Sequence, residues 1–282
     1  MPDRPKRVAA IHDLSGFGRC SLSVILPTLS VMGVQVCPVP TTVFSTHTGG
    51  LGSVEQRDLS DFTLPCLKHY RRLGLEFECV YSGFLSSQEQ IDHCLKFFST
   101  YQDALAVVDP VMGDYGRVYQ TYTAAMCSGM ARLAELADVI TPNLTEAALL
   151  LGQPYETLPA GEAGLREITE RLSLGGRRSV VLTGASLAPG RTGAVCFDAR
   201  TGKTEAVQTA YVAHEFHGTG DVFSSVLTGA LVRGESLSSA AGEAAAFVRA
   251  CAERTAAEDL PMREGVDFEP LLGLLIPGKE TV

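Results

Sequence analysis

The chain has 282 residues, of which 45% are hydrophobic and 20% charged, a composition typical of a globular protein with a sizeable core. Its formal net charge of −9 argues against a general nucleic-acid binder, because such proteins carry a basic surface. The eight cysteines include no Cys-x-x-Cys pair, which favours reduced, mostly buried thiols. No apolar run is long enough for a signal peptide or a spanning helix, so we expect a cytoplasmic protein.

Short β-branched runs alternate with longer amphipathic stretches along most of the chain. This alternation predicts parallel strands joined by crossover helices, in a sheet that is covered on both faces. In chain order the predicted strands are 8–11, 34–39, 79–81, 105–108, 139–140 and 180–182, and the helices are 22–32, 64–73, 88–98, 124–136, 144–151 and 165–172. A hairpin (194–197 with 205–208) and two helices (220–232 and 238–255) follow. No linker or repeat divides the chain, so we expect one α/β domain over residues 1–282, with a loop at 159–164 and a frayed tail at about 277–282.

The strongest chemical signal is a glycine turn at the start of a predicted helix, His217-Gly218-Thr219-Gly220-Asp221. Two glycines can expose consecutive backbone N–H groups, and the helix N-terminus adds its positive dipole end, so the turn can hold a phosphate or a developing oxyanion. Asp221 can accept a proton from an alcohol as the alcohol attacks phosphorus. A glycine turn followed by an acid that suits the helix dipole explains the same five residues equally well.

Two acid-bearing motifs follow predicted strands. Asp109 and Asp114 flank a proline turn, and carboxylates there can approach a metal-bound phosphate, directly or through water. Either acid taken alone is better explained as a solvated turn residue. Asn143 and Glu146 have the spacing of a capping box for the helix at 144–151, which is a strong structural explanation. The functional alternative places Asn143 and Glu146 near nucleotide phosphates and their metal.

Two polar segments are candidates for binding a planar ring. Asp13 and Ser15 lie in a glycine-containing segment just after the first predicted strand, where they can hydrogen-bond ring substituents. Phe44, His47 and Thr48 precede two glycines and combine an aromatic ring with polar groups, although a lone histidine is more often structural. Neither a Gly-x-Gly-x-x-Gly pattern nor a Gly-Lys-Ser/Thr ending is present, so phosphoryl transfer would require a scaffold other than the P-loop.

These motifs, in this order, resemble pyridoxal kinases of the ribokinase superfamily over about residues 8–254. Phe-Ser-x-His-Thr-Gly at 44–49 is similar to their substrate segment, and Tyr-Ser-Gly-Phe-Leu at 81–85 to a turn at a strand end. Asp-Pro-Val-Met-Gly-Asp at 109–114 and Ala-Asp-Val-Ile-Thr-Pro-Asn at 137–143 are close matches. Gly-Thr-Gly-Asp at 218–221 resembles the anion hole and catalytic base of the whole superfamily, whereas the segments at 44 and 109 indicate the pyridoxal branch.

The resemblance implies a ribokinase-like three-layer α/β/α sandwich with a mostly parallel central sheet. It implies ATP-dependent phosphorylation of the 5′-hydroxymethyl group of pyridoxal, with pyridoxine and pyridoxamine as further substrates, in pyridoxal 5′-phosphate salvage. The implied cofactors are ATP and Mg²⁺, with room for a monovalent cation (K⁺ or Na⁺), and the implied assembly is a homodimer without nucleic-acid or membrane partners.

The resemblance also implies a role for each residue in the matching motifs. The catalytic residues would be Asp221 as base and Gly218, Thr219 and Gly220 as the phosphoryl cradle. The substrate ring would be bound by Asp13, Ser15, Phe44, His47, Thr48 and Phe84. ATP would be bound by Asp109, Asn143, Thr183, Gly218 and Gly220, and the metal by Asp109, Asp114, Thr141 and Glu146.

One segment departs from the family pattern. Typical pyridoxal kinases carry Gln-Ser-His after the first strand, whereas His-Asp-Leu-Ser-Gly at 12–16 is more similar to the Ser-Asp-x-Ser-Gly-Gly of hydroxymethylpyrimidine kinases. A hydroxymethylpyrimidine kinase is therefore the main alternative, although those enzymes often place cysteine in the anion-hole loop and this chain does not. A non-catalytic vitamer-binding protein of the same fold is the second alternative. The glycine-bearing segment 113–119 is a candidate lid.

Overall fold

The computed structural model describes residues 4–213 and 216–278. Within that part of the chain, helices and strands mostly alternate, and 3-10 segments lie at Tyr155–Thr157, Met262–Glu264 and Glu269–Leu275. The helices are α1 (Leu22–Val31), α2 (Ser60–Arg72), α3 (Gln88–Thr100), α4 (Ala124–Glu135), α5 (Leu144–Leu151), α6 (Gly161–Leu172), α7 (Thr219–Arg233) and α8 (Leu237–Ala257). The strands are β1 (Arg7–Phe17), β2 (Gln35–Thr46), β3 (Gln56–Asp58), β4 (Cys79–Ser82), β5 (Leu105–Val108), β6 (Gly113–Asp114), β7 (Arg117–Val118), β8 (Val139–Ile140), β9 (Ser179–Thr183), β10 (Arg191–Asp198) and β11 (Lys203–Ala210).

Nine strands form the central sheet, in the order β11-β10-β9-β8-β5-β4-β1-β2-β3. The six strands from β9 to β2 are mutually parallel, whereas β3 pairs antiparallel on one edge and the β10–β11 hairpin on the other. The carboxyl ends of the six parallel strands therefore meet along one edge of the sheet, where ligands of such folds bind. Strands β6 and β7 form a separate two-stranded hairpin beside that edge.

Both faces of the sheet are covered by helices. In β1, Ala9 and Ile11 join the core that packs under α2 to α6, while Val8 and Ala10 join the core under α1, α7 and α8. This alternation within a continuous apolar run is what a strand buried on both sides requires. The three-layer α/β/α architecture and the mostly parallel sheet predicted from the sequence are thus confirmed.

Some predicted boundaries were wrong. The first strand does not end at residue 11: β1 continues to Phe17 because β2 extends beside it to Thr46, with a bulge between His12 and Leu14. The segment 159–164 is not a loop throughout, since α6 begins at Gly161. The edge strand β3 and the β6–β7 hairpin were not predicted, because each is only two or three residues long and depends on its pairing partner.

The organisation of residues 1–282 as one domain stays a prediction, supported by a sheet whose strands come from both halves of the chain. Of the tail predicted to fray, 279–282 lies outside the described residues. None of the helices in the described part combines the length and apolar character needed to cross a membrane.

Candidate active site

The predicted glycine turn lies at the N-terminus of α7. Gly218 precedes the helix with a left-handed backbone (φ 79°), and a Cβ on it would lie only 1.8 Å from the carbonyl oxygen of Arg19. Both the backbone angle and the close approach therefore require glycine here. A Cβ on Gly220 would meet no atom within 4 Å, so the space over the first turn of α7 is open. The N–H groups of a first helical turn lack helical acceptors and can donate to an anion placed there.

Asp221 lies in this first turn and is partly buried. Burial raises the pKa of its carboxyl to about 8, against a hydrogen bond from the Ser21 backbone N–H, and the nearby Asp109 and Asp13 carboxylates raise it further. Among residues 4–213 and 216–278, no lysine or arginine forms an ion pair with Asp221 that would oppose this effect. A carboxyl whose pKa is near neutral pH is well suited to accept a proton during a reaction.

The end of β1 carries a buried hydrogen-bonded group centred on Asp13. One carboxylate oxygen accepts from the Ser21 hydroxyl at 2.5 Å, and the other accepts from the Ser15 hydroxyl at 3.0 Å. Burial raises the pKa of Asp13, and the two hydroxyls oppose that shift. Ser21 thus connects the candidate ring-binding segment to Asp221. Ser21 could not be predicted from a local pattern, because its backbone is left-handed (φ 48°) although it is not a glycine.

Asp109 lies at the end of β5 and is buried against α7. Its Oδ2 accepts from the Ser224 hydroxyl at 3.0 Å, and Ser224 lies 3.1 Å from the hydroxyl of Thr141 at the end of β8. Burial raises the pKa of Asp109 to about 7, while the hydroxyls of Thr141 and Ser224 lower it. Ser224 was missed by the sequence reasoning, although its position one turn after Asp221 on the same helix could have indicated it.

The capping box predicted for α5 is present. The Asn143 side chain accepts from the Glu146 N–H at 2.9 Å, and the Glu146 carboxylate accepts from the Asn143 N–H at 2.8 Å. The second oxygen of Glu146 accepts from the Met112 N–H at 3.1 Å, and the Asn143 amide donates to the Gly113 carbonyl at 2.9 Å. These two residues therefore fix the 109–114 segment to the start of α5, whatever else they bind.

The carboxyls near this edge suit a divalent cation. Burial, followed by the charge of Asp109, raises the pKa of Glu146 well above its usual value, and Asp114 adds to this effect. Two buried carboxyls that each disfavour the other's charge would be stabilised by a cation between them. No group of three or more His, Cys, Asp or Glu side chains within 4–213 and 216–278 forms a complete cage. Mg²⁺ as the bound ion stays a prediction.

The predicted lid brings a phenol to the same carboxyls. Tyr119 follows β7, and its N–H donates to the Met112 carbonyl at 2.9 Å. Tyr119 is 42% exposed, and the burial of the rest of its side chain raises its pKa. The charges of Glu146, Asp114, Asp221 and Asp109 raise it further. The acids predicted from separate motifs are therefore grouped around one region.

The outlying predicted residues of the nucleotide side lie at the ends of β6 and β9. Asp114 is exposed in β6, where its carboxylate accepts from the Tyr115 N–H at 2.8 Å. Thr183 ends β9 and is held to Pro142, since its backbone N–H donates to that carbonyl at 2.9 Å.

Aromatic rings group at the end of β2 and after β4. The Phe44 and Phe84 ring centroids are 6.3 Å apart, and Phe84 lies 5.9 Å from Tyr122. A cavity of about 220 Å³ opens beside Phe44, with polar residues on its other walls: Thr42, Gln56, Asp58, Ser86 and Thr121. An apolar wall facing polar groups is a suitable environment for a heteroaromatic ring.

His47 is buried, and both of its ring nitrogens already have backbone partners. Nδ1 accepts from the Gly49 N–H at 3.0 Å, which leaves the proton on Nε2 to donate to the Arg263 carbonyl at 2.6 Å. In this arrangement His47 holds the loop after β2 to a distant segment and has no nitrogen left for a ring substituent. Thr48 next to it is exposed. A substrate contact by His47 stays a prediction that would require a rearrangement of this loop.

Three known proteins illustrate what this chain is similar to, two in structure and one in sequence. A Bacteroides thetaiotaomicron protein provisionally assigned as a phosphomethylpyrimidine kinase, crystallised with pyridoxal, is 36% identical, with a TM-score of 0.92 over 99% of this chain and 98% of that one. Pyridoxal kinase from Lactobacillus plantarum is 31% identical, with a TM-score of 0.87 over 96% of each chain. Pyridoxal kinase from Deinococcus radiodurans is 29% identical over 191 residues, which are 64% of this chain and 63% of that protein's length.

The fold and these relatives define a phosphotransferase of the ribokinase superfamily, as the motifs predicted. Its family is shown by the match of the phosphomethylpyrimidine kinase model to residues 26–265. The chain belongs to the phosphomethylpyrimidine kinase family, and its relatives include pyridoxal kinases.

Proposed function

We propose that this chain transfers the γ-phosphoryl group of ATP to the 5′-hydroxymethyl group of pyridoxal or a close vitamer. The observation that carries the proposal is the open glycine turn of α7 with the partly buried Asp221 beside it. This arrangement offers anion-binding N–H groups and a proton acceptor within one helical turn. The similarity to a structure crystallised with pyridoxal, at 36% identity, supports this substrate branch.

Asp221 is proposed as the base. A primary alcohol has a far higher pKa than a carboxyl, so the proton would move to Asp221 as the bond to phosphorus forms rather than beforehand. Burial, which raises the pKa of Asp221 to about 8, makes its carboxylate a stronger proton acceptor. The Ser21 N–H bond holds this carboxylate near the end of β1, where the alcohol of a ring-bound substrate would arrive.

The backbone of residues 218–220 is proposed to hold the transferring phosphoryl group. Its N–H groups and the positive end of α7 would stabilise the charge that develops on the phosphoryl oxygens. Bound Mg²⁺ would neutralise phosphate charge, with Asp109, Asp114, Thr141 and Glu146 holding it or its waters. Asn143 and Thr183 are the proposed contacts to ATP.

The ring is proposed to bind between the end of β1 and the aromatic cluster. Asp13 and Ser15 offer polar groups at one side, and Phe44 and Phe84 offer apolar faces at the other. Thr48 is exposed and free to approach a ring substituent, whereas His47 is proposed to act mainly through the loop that it holds.

A hydroxymethylpyrimidine is the second candidate substrate. The Asp13–Ser15 pair, joined at 3.0 Å, occurs where typical pyridoxal kinases carry a different segment, and the matching family model is that of phosphomethylpyrimidine kinases. A non-catalytic vitamer-binding protein is less well supported, because the buried Asp109 and Glu146 and the partly buried Asp221 would be costly without a catalytic use. The homodimer, the monovalent cation and the cytoplasmic location stay predictions.

A substrate panel tests the proposal. Purified protein with magnesium-ATP is given pyridoxal, pyridoxine, pyridoxamine or hydroxymethylpyrimidine in parallel, and kcat/KM is measured for each. The proposal requires the highest kcat/KM for a pyridoxal-type vitamer. A preference for hydroxymethylpyrimidine would retain the kinase and replace its substrate. Vitamer binding by calorimetry without ADP release from any alcohol would favour the binding protein.

A further inference from the structure

The backbone of Arg19, just after β1, is enclosed by two glycines that are far away in sequence. A Cβ on Gly218 would lie 1.8 Å from the Arg19 carbonyl oxygen, and a Cβ on Gly265 would lie 2.8 Å from the Arg19 Cβ. Both glycines have left-handed backbones, with φ of 79° and 84°. The glycine turn, the end of β1 and a segment near the C-terminus are therefore in direct main-chain contact at Arg19.

The Arg19 side chain is held by the C-terminal segment. Its Nη2 donates to Asp267 at 3.0 Å, and its Nε lies 2.8 and 2.9 Å from the two carboxylate oxygens of Glu269. A third nitrogen lies 3.4 Å from the Gly265 carbonyl. A planar guanidinium fork that contacts three groups on one segment fixes direction as well as distance, which an ammonium could not do.

That segment is itself fixed to α8 and to the active site. We call residues 263–269 the C-terminal brace. The second oxygen of Asp267 accepts from Arg254 at 2.7 Å, and the Asp267 N–H donates to the Thr255 hydroxyl at 2.8 Å. The Val266 N–H donates to the His217 carbonyl at 3.1 Å, directly before the glycine turn. The Arg263 carbonyl accepts from His47. The brace thus contacts the glycine turn and the loop after β2, besides Arg19.

We infer that Arg19 is a positioning residue for phosphoryl transfer, which sets the glycine turn and Asp221 at the correct distance from the substrate held at the end of β1. Its carbonyl lies against Gly218 and its guanidinium is locked to the brace, so the turn cannot shift without breaking these contacts. The inference rests on the proposed function. Displacements of about 1 Å cost roughly 100-fold in rate, so losing this lock lowers kcat by roughly 10- to 100-fold.

The test uses two variants and one matched control. Arg19→Ala removes all contacts of the guanidinium with the brace and keeps the backbone carbonyl, and Glu269→Gln weakens the contacts at a half-exposed partner. Arg249→Ala removes an ion pair of similar length, 2.8 Å to Glu253, on the outer part of α8. Each protein is assayed for kcat and for the KM of ATP and pyridoxal, and hydrogen–deuterium exchange is measured over residues 216–222 without substrates.

Arg19→Ala is expected to lower kcat by roughly 10- to 100-fold with less than about threefold change in the KM of ATP, and to speed exchange in 216–222. Glu269→Gln is expected to act in the same direction by about threefold, and Arg249→Ala to match the parent. The inference is overturned if the kcat of both Arg19→Ala and Glu269→Gln stays within twofold of the parent. It is also overturned if the kcat of Arg19→Ala falls only in proportion to the fraction of the protein that is folded. If the parent protein itself lacks kinase activity, the proposed function fails. The positioning role of Arg19 is tested separately: it is overturned if hydrogen–deuterium exchange over residues 216–222 is the same in Arg19→Ala and in the parent.

Discussion

Replacing Asp221 by asparagine should make the protein more stable and nearly inactive. Burial raises the pKa of Asp221 from 3.8 to about 8, so the folded chain binds this proton more tightly than the unfolded chain. The stabilisation from the proton is complete below the unfolded pKa and is lost as the pH rises towards the folded value. The folded and unfolded pKa differ by about 4, and each pKa unit corresponds to about 1.4 kcal/mol, so Asp221→Asn can gain at most about 6 kcal/mol of stability at high pH. Because this group is partly exposed and solvent screens its charge, we expect a gain of about 2 kcal/mol.

Urea unfolding of parent and Asp221→Asn measures this gain. The free energy of unfolding of the variant should exceed that of the parent by an amount that grows from about pH 4 to about pH 8, between the unfolded and the folded pKa of Asp221. Asp61→Asn is the matched control, because Asp61 also lies in the first turn of a helix but is exposed. Its loss should cost less than about 1 kcal/mol through the helix dipole, with no gain at high pH.

The same variant tests the proposed base. Kcat should fall by about 100- to 10,000-fold while ATP affinity changes little, because the carboxylate is needed for proton transfer and not for holding the nucleotide. An Asn variant that turns over at a near-native rate would remove Asp221 from the base role. A variant less stable than the parent at about pH 8 would refute the burial argument.

Two further substitutions test the turn and the capping box. Gly218→Ala should lower the free energy of unfolding by more than about 3 kcal/mol, because its Cβ would meet the Arg19 carbonyl at 1.8 Å and its φ is 79°. Gly220→Ala is the control: its Cβ would have open space, so it should be neutral or slightly stabilising. Equal thermal unfolding temperatures for the two variants would contradict this expectation. Asn143→Ala should cost about 2 kcal/mol, because it loses both the cap and the 2.9 Å bond to Gly113, against about 1 kcal/mol for the simple helix cap Ser87→Ala. If urea unfolding shows a cost for Asn143→Ala no larger than that of Ser87→Ala, the bond from the Asn143 amide to the Gly113 carbonyl contributes nothing to stability.

The fold was predictable because its signals are local. Strands such as β5 and β9 are continuous apolar runs, and α5 carries its capping box in four consecutive residues. The second half of β1 was not predictable in the same way. Residues 12–17 contain glycine and polar side chains and lack an apolar pattern, and they are extended because β2 pairs with them.

The site was predictable only for residues within motifs. Asp221 and Asp109 were found from their neighbours in sequence, and the structure groups their charges. Ser224 bonds Asp109 across 115 residues, and Arg19 contacts Asp267 across 248, so neither pairing leaves a trace in a local pattern. His47 shows the converse case, since its motif predicted a ring contact but its nitrogens are used by the backbone.

Direct detection of the product is the best test of whether this chain phosphorylates a pyridoxal-type alcohol. Parent protein is mixed with magnesium-ATP and pyridoxal, and ADP release is followed together with the absorbance of pyridoxal 5′-phosphate. We expect the two signals to rise in equal amounts, and both rates to fall by about 100- to 10,000-fold in Asp221→Asn. ADP release without pyridoxal 5′-phosphate, or no ADP release while pyridoxal binds, would contradict the proposed function.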